Sequence, residues 1–227
     1  MKITYHGHSV LSVVTDDGTK LLFDPFINGN SLTDLEASKV ETDYILITHG
    51  HNDHIGDMVE IAKNNDATII AQPEILHFAA TQGAEKGHPM NLGGKFDFPF
   101  GRVKMMHAQH SSGYEFEGKM LYMGDPAGFI LQSNGKTIYH AGDTSNFGDM
   151  ELFGKAFEID VAFLPIGDNF TMGPQEAASA AKRLKAKKVV PIHYNTFPLI
   201  KQDPDKFVEL LPDGIGQVMA VGESIQL

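Results

Sequence analysis

The chain contains no cysteine. That absence excludes disulfides, a zinc–thiolate centre and a cysteine nucleophile. Arginine is scarce too: Arg102 and Arg183 are the only two in 227 residues, and the formal net charge is -11. A surface that tracks nucleic-acid phosphates needs clustered basic side chains, so no nucleic-acid partner is expected. No apolar run reaches membrane-spanning length, and no membrane partner is expected either. The opening "MKITYHGHSV" lacks the apolar core of a secretory signal and alternates like a strand. A cytoplasmic location is the resulting expectation. Low-complexity stretches and clear linkers are missing, so residues 1–227 are expected to form a single domain. A hydrophobic share of 42% is ordinary for a soluble chain of this length and supplies a sizeable core.

What is present is a sequence of apolar runs broken by turns. "KITYH", "VLSVVT" and "KLLFDPF" read as strands, with a "DDG" turn between the second and third. "YILIT" reads as a buried strand, "GDMVEIAKNN" has helical spacing, and "TIIAQ" is again a strand. "PEILHFAATQG" reads as a helix from Pro73 to about Gly83. "RVKMMHAQH" resumes strand character, "HSSGYEFEGKM" reads as a loop, and a hairpin turn is expected at "SNGK". Later come a strand at "DVAFLPIG", a helix at "GPQEAASAAKRLKA", a strand at "KKVVPIHYN" and a short helix at "DPDKFVELL". Two mixed halves result, each strand-rich first and helical later. An α/β (α+β) layered domain, two sheets face to face with helices outside, would cover all these apolar faces.

The densest chemistry lies in "LITHGHNDHIGD", with three histidines and two aspartates in twelve residues. Short His/Asp clusters also arise in solvated turns. Here the cluster directly follows "YILIT", and Gly50 and Asn52 allow a tight turn, so His49, His51, Asp53 and His54 leave a strand end together. Imidazole nitrogen and carboxylate oxygen suit zinc, manganese or iron. His110, Asp143 and His193 each follow another apolar run, where a rigid scaffold would position further ligands.

"HGHNDH" matches in full the HxHxDH motif of the metallo-β-lactamase superfamily, which this chain resembles over nearly its whole length. "QH" at His110, "GD" at Asp143 and "IH" at His193 resemble its later metal motifs, and "LLFDP" its first. "YHGHS", "GDNFTMGP" and "PIHYNTFP" look most like a branch of metal-dependent hydrolases related to ascorbate-phosphate lactonase. The resemblance implies a metallo-β-lactamase-like αβ/βα four-layer sandwich with two divalent metal ions at one edge of the sheets. It assigns His49, His51 and His110 to one metal, Asp53, His54 and His193 to the other, and Asp143 to both. Zinc is the foremost expectation; His/Asp sites also accept manganese, iron or nickel. Two departures matter. No cysteine stands where several true β-lactamases place one, and His51 occupies the position where oxygen-reducing diiron relatives carry glutamate.

Paired metals lower the pKa of a bound water from about 15.7 to about 7, giving hydroxide at neutral pH. The implied function is metal-dependent hydrolysis of an ester, lactone or phosphoester bond. Two divalent ions bring four positive charges; Asp53, Asp143 and hydroxide offset three, which favours a small anionic substrate. Asp53 is a candidate proton shuttle. His8 is either a turn histidine or a catalytic group at the metal edge that orients substrate or donates a proton. Asp24 reads as an Asp-Pro turn, as a partner for a ligand histidine's second nitrogen, or both. Asn169 and Thr171 are candidates for substrate contact, the alternative being that Asp168 and Thr171 cap or turn the chain. Asn195, two residues after His193 and on the same face if the strand continues, is a candidate for contact with substrate or with a ligand residue. His107 reads as a core or ligand-supporting histidine and His6 as structural. Alternatives are a phosphodiesterase or nuclease of the same fold, and a non-catalytic metal-binding protein. The apolar "NTFPLI" permits a homo-oligomer without requiring one.

Overall fold

A computed structural model describes residues 1–227. The first half contains strands β1 (Lys2–Tyr5), β2 (Leu11–Val14), β3 (Lys20–Phe23), β4 (Tyr44–Leu46), β5 (Thr68–Ala71) and β6 (Gly87–Pro89). Its helices are α1 (Asn52–Ile55), α2 (Met58–Asn65) and α3 (Pro73–Thr81). The second half contains β7 (Lys95–Phe98), β8 (Gly101–His107), β9 (Gly113–Phe116), β10 (Lys119–Tyr122), β11 (Ala127–Ser133), β12 (Lys136–His140), β13 (Val161–Pro165), β14 (Lys188–Ile192) and β15 (Ser224–Gln226). Helices α4 (Met150–Ala156), α5 (Pro174–Leu184) and α6 (Pro204–Glu209) accompany them.

Seven strands form one sheet in the order β15-β1-β2-β3-β4-β5-β6, and six form the other in the order β14-β13-β12-β11-β8-β7. In each sheet an antiparallel meander runs into parallel strands: β1, β2 and β3 lead into β4 and β5, as β8, β11 and β12 lead into β13 and β14. Because side chains alternate along a strand, each sheet divides its apolar residues between two faces. Leu11, Val13, Leu21, Phe23 and Leu46 meet Val103, Phe129, Leu131, Phe163 and Ile192 in a core between the sheets. Leu22, Ile45 and Ile69 turn outward under α2 and α3, and Ile130, Ala162 and Val189 turn outward under α5 and α6. The architecture is thus the expected αβ/βα four-layer sandwich.

The differences from sequence reading are local. The helix expected at "GDMVEIAKNN" is α2, while the short α1 forms within the His/Asp cluster and is separated from it at Gly56 (φ 43°), where a Cβ would lie 2.4 Å from the Pro25 carbonyl oxygen. The segment read as a loop, "HSSGYEFEGKM", instead contributes to the β9–β10 hairpin. Tyr114 and Phe116 pack on Phe78 of α3, which supplies the apolar contact that local sequence alone did not show. Helix α4 was not anticipated. Glycine weakens helix periodicity, yet a Cβ at Gly154 would lie 2.3 Å from the Arg183 carbonyl oxygen, so close packing of α4 on α5 requires it. The short strands β6, β7 and β15 were also unread; β15 forms by pairing with β1 from the far end of the chain.

Candidate metal centre

Every polar cluster residue leaves one edge of the two sheets. Asp24 follows β3, Thr48 and His49 follow β4, His110 follows β8, Asp143 follows β12 and His193 follows β14. His8 lies in the β1–β2 turn, and α1 carries Asp53 and His54. The glycine of "HGH" is needed for close approach: a Cβ on Gly50 would lie 2.3 Å from the Met123 Cβ and 2.9 Å from the Ser112 carbonyl oxygen.

Two groups of donor atoms converge. In the first, His49 Nε2 and His51 Nδ1 are 2.9 Å apart, and His110 Nε2 is 3.2 Å from His51 Nδ1. In the second, His193 Nε2 is 3.6 Å and His8 Nε2 is 3.0 Å from Asp53 Oδ2. Asp143 Oδ2 stands between the groups, 3.0 Å from His193 Nε2, 3.3 Å from His54 Nε2, 3.5 Å from His110 Nε2 and 3.9 Å from His49 Nε2. Ligands of a tetrahedral zinc at about 2.0–2.1 Å stand about 3.4 Å from one another, close to this spread. His54 Nε2 and both ring nitrogens of His193 are buried without a hydrogen-bond partner. Such atoms are costly unless something else satisfies them. The donor set therefore fits two metal ions: His49, His51, His110 and Asp143 could hold one, and Asp53, His54 and His193, with His8 among them, the other; Asp143 Oδ2 also reaches that second group, 3.0 Å from His193 and 3.3 Å from His54.

A buried network orients these rings. Asp24 is fully buried, in a left-handed backbone conformation (φ 44°), and accepts hydrogen bonds from the Thr48 amide (2.8 Å), the Thr48 hydroxyl (2.7 Å) and His54 Nδ1 (2.8 Å). Thr48 in turn accepts from His49 Nδ1 at 3.0 Å. Both rings then keep their protons on Nδ1 and turn bare Nε2 lone pairs inward, as metal ligands require. His8 is fully buried: Nε2 donates to Asp53 Oδ2, and Nδ1 accepts from the Thr196 hydroxyl at 2.9 Å.

Burial pushes His49 well below the ordinary histidine range and His110 down to about 4. Burial and the neighbouring His193 lower His8 to about 4. Burial alone would also lower His193 and raise Asp143. Their mutual attraction outweighs it, lifting His193 to about 9 and holding Asp143 well below the carboxylate range. Asp53 is likewise held low, His54 overriding the upward effect of burial. Without an ion, the two ionised carboxylates hold protons on His193 and His54, and a divalent cation would take the place of those protons.

Residues 19–194 match the family described as the beta-lactamase superfamily domain. The chain belongs to the β-lactamase superfamily. Among its relatives in that superfamily, a UPF0173 metal-dependent hydrolase of Anoxybacillus flavithermus is 57% identical, the match covering all of both chains. Another, of Enterococcus faecalis, is 56% identical over 99% of each. The solved structure of Igni18, a metallo hydrolase from Ignicoccus hospitalis, is 36% identical with a TM-score of 0.86, covering 99% of this chain and 97% of that one.

Beside the superfamily motifs, the structure places the other candidate residues individually. Asn169 and Thr171 do not line the cleft of about 640 Å³ over the donor atoms; Phe170, between them, does. Asp168 (φ 69°) turns this loop, and its carbonyl accepts from the Thr171 amide at 3.1 Å. Asn195 would share the face of His193 only if the strand continued; β14 ends at Ile192 and both residues have positive φ, so that alternation does not extend to them. Asn195 Oδ1 instead accepts from the Gln202 amide at 2.9 Å. His107 is exposed beside Phe147, not in the core. His8 is fully buried behind Asp53 and bonds its Oδ2. His6 bonds Asp34 and Ser12 at 2.8 Å each, a structural role. Sequence reading missed Thr48 and Thr196; the hydroxyl immediately before "HGHNDH" was the available signal for Thr48.

Proposed function

We propose that this chain uses two divalent metal ions, zinc foremost, to hydrolyse an ester, lactone or phosphoester bond of a small anionic metabolite in the cytoplasm. The chain is a metal-dependent hydrolase; its near-full-length identity to proteins of that description supports this coarser statement. The observation that carries the two-metal reading is Asp143 Oδ2, which faces histidine nitrogens of both donor groups within 3.9 Å. Metals held there would acidify water and polarise the scissile bond. Asp53 has one oxygen committed to His8 and none of its hydrogen bonds on the other. It borders the cleft, where that second oxygen can accept a proton from attacking water and return it to the leaving group. No lysine or arginine lines the cleft, which favours a small substrate over a polynucleotide.

Metal analysis tests the reading. Wild type is expected to hold two metals, His193→Ala and His110→Ala about one each, and Asp143→Ala neither tightly, with activity lost. A wild type saturating at one metal, or a His193→Ala variant retaining two tightly, would refute it. Full metal with no turnover on lactones, esters and phosphodiesters would favour a non-catalytic metal-binding protein.

A further inference from the structure

The walls of the cleft carry information that the metal donors do not. Apart from the donor residues, its lining consists of Asn52, Ser111, Gly113, Glu115, Met120 and Phe170. Two are large apolar side chains left in water, Met120 at 71% exposure and Phe170 at 52%. They come from different elements, the β9–β10 hairpin and the loop between β13 and α5.

The hairpin is a built wall. Its alternate residues Tyr114, Phe116 and Leu121 pack against the core under α3. Asn52 of α1 fastens it from the side, bonding the Glu115 amide at 3.2 Å and the Glu115 carbonyl at 3.1 Å. With that face committed, the opposite face presents Glu115 and Met120, which pair across the two strands. Gly113 makes room for the methionine: a Cβ there would lie 2.6 Å from Met120 Sδ. The Phe170 loop is held from behind by the Met172 amide, which donates to the Thr144 carbonyl one residue beyond Asp143.

A cleft floored by metal donors, walled by two unpartnered apolar side chains and carrying a carboxylate but no lysine or arginine suits one kind of molecule. We propose that the substrate carries an uncharged apolar tail, an alkyl chain or an aromatic ring, held between Met120 and Phe170. Glu115 disfavours a second anionic group at that end. This inference rests on the hydrolase reading and narrows its substrate class: any negative charge sits at the metal end only. Tails that carry hydroxyls or a second charge are disfavoured between Met120 and Phe170, because neither side chain can replace the water such tails would lose.

The test needs no turnover. Calorimetric titration of the metal-loaded protein with straight-chain carboxylates from propionate to octanoate measures the tail's contribution, with the carboxylate occupying the metal end. Burying a methylene is worth about fourfold in affinity when complete, so in this open cleft a rise of about twofold to fourfold per methylene is expected. Suberate, which adds a carboxylate at the far end of an eight-carbon chain, should bind at least about tenfold more weakly than octanoate. The Met120→Ala/Phe170→Ala pair should flatten the series, and Glu115→Gln should narrow the gap to suberate; all three side chains lie outside the core, and circular dichroism confirms that the variants fold. An affinity independent of chain length, an absence of binding throughout, or suberate equal to octanoate would overturn the proposal. Turnover of lactones, esters and phosphodiesters with matching alkyl tails then tests the hydrolase reading separately: an intact binding series without turnover of any of them would sink that reading and leave the apolar cleft standing.

Discussion

Replacing Asp24 by asparagine keeps the side chain's shape and removes one acceptor. Asp24 accepts three hydrogen bonds in a site closed to water, two from Thr48 and one from His54. An amide group pointing toward His54 sets a donor against two donors; flipped, it opposes the Thr48 amide instead. Each buried donor left unpaired costs about 1–3 kcal/mol, so one or two unpaired cost roughly 1–6 kcal/mol, with about 2–4 kcal/mol at the middle of that range. At about 2–4 °C per kcal/mol for a chain of this size, the variant should melt about 5–15 °C lower even in chelator. The first orientation has a second consequence. His54 can relieve the clash by accepting at Nδ1 and moving its proton to Nε2, the atom that faces Asp143 at 3.3 Å. A protonated Nε2 cannot bind metal, so affinity at that position should fall about tenfold to hundredfold, the usual effect of removing an outer partner of a ligand histidine. Melting curves in chelator and competition against a chromophoric chelator separate the two effects. A variant that melts with wild type and binds both metals with wild-type affinity would refute the assignment of Asp24 as the group that sets the His54 tautomer.

His8→Ala should retain both metals by elemental analysis while turnover falls, since His8 bonds Asp53 from behind; loss of a metal would make His8 a ligand. Gly50→Ala should lower stability by about 1–3 kcal/mol through overpacking against Met123 and the Ser112 backbone, read in a denaturant titration, and an unchanged midpoint would contradict the contact. Hydrolysis of β-lactams should remain below about 10⁴ M⁻¹s⁻¹ in kcat/KM, because no thiolate is available for the zinc site; a faster rate would remove the cysteine argument.

The long apolar strands and amphipathic helices were legible because alternation and 3.6-residue spacing are local properties. The same holds for the donors, which stand at strand ends after runs such as "YILIT" and "VVPI". What escaped depends on distant partners. β15 forms against β1, the β9–β10 hairpin packs on α3 and is bonded by Asn52 of α1, and α4 needs a glycine that weakens it in isolation. The unread placements around the cleft share one cause. Asp168, His193 and Asn195 take positive φ, so side-chain direction cannot be carried forward by alternation through these turns. For that reason Asn195 does not follow His193 by alternation, and Phe170 was overlooked between two polar neighbours that looked more chemical.

The His193 amide donates to the His8 carbonyl at 2.8 Å, joining the first turn of the chain to the end of β14. This bond has a consequence for the order of assembly. Five cluster residues, His8, His49, His51, Asp53 and His54, emerge early during synthesis, while His110, Asp143 and His193 come much later. A nascent first half can offer an ion only loose, incomplete coordination. The finished cage forms when β14 docks beside β13 and its terminal histidine is pinned to the opening turn. Metal choice therefore falls to a folded, spaced set of donors rather than to an emerging peptide, and β14, the last strand to bring a donor, acts as the latch.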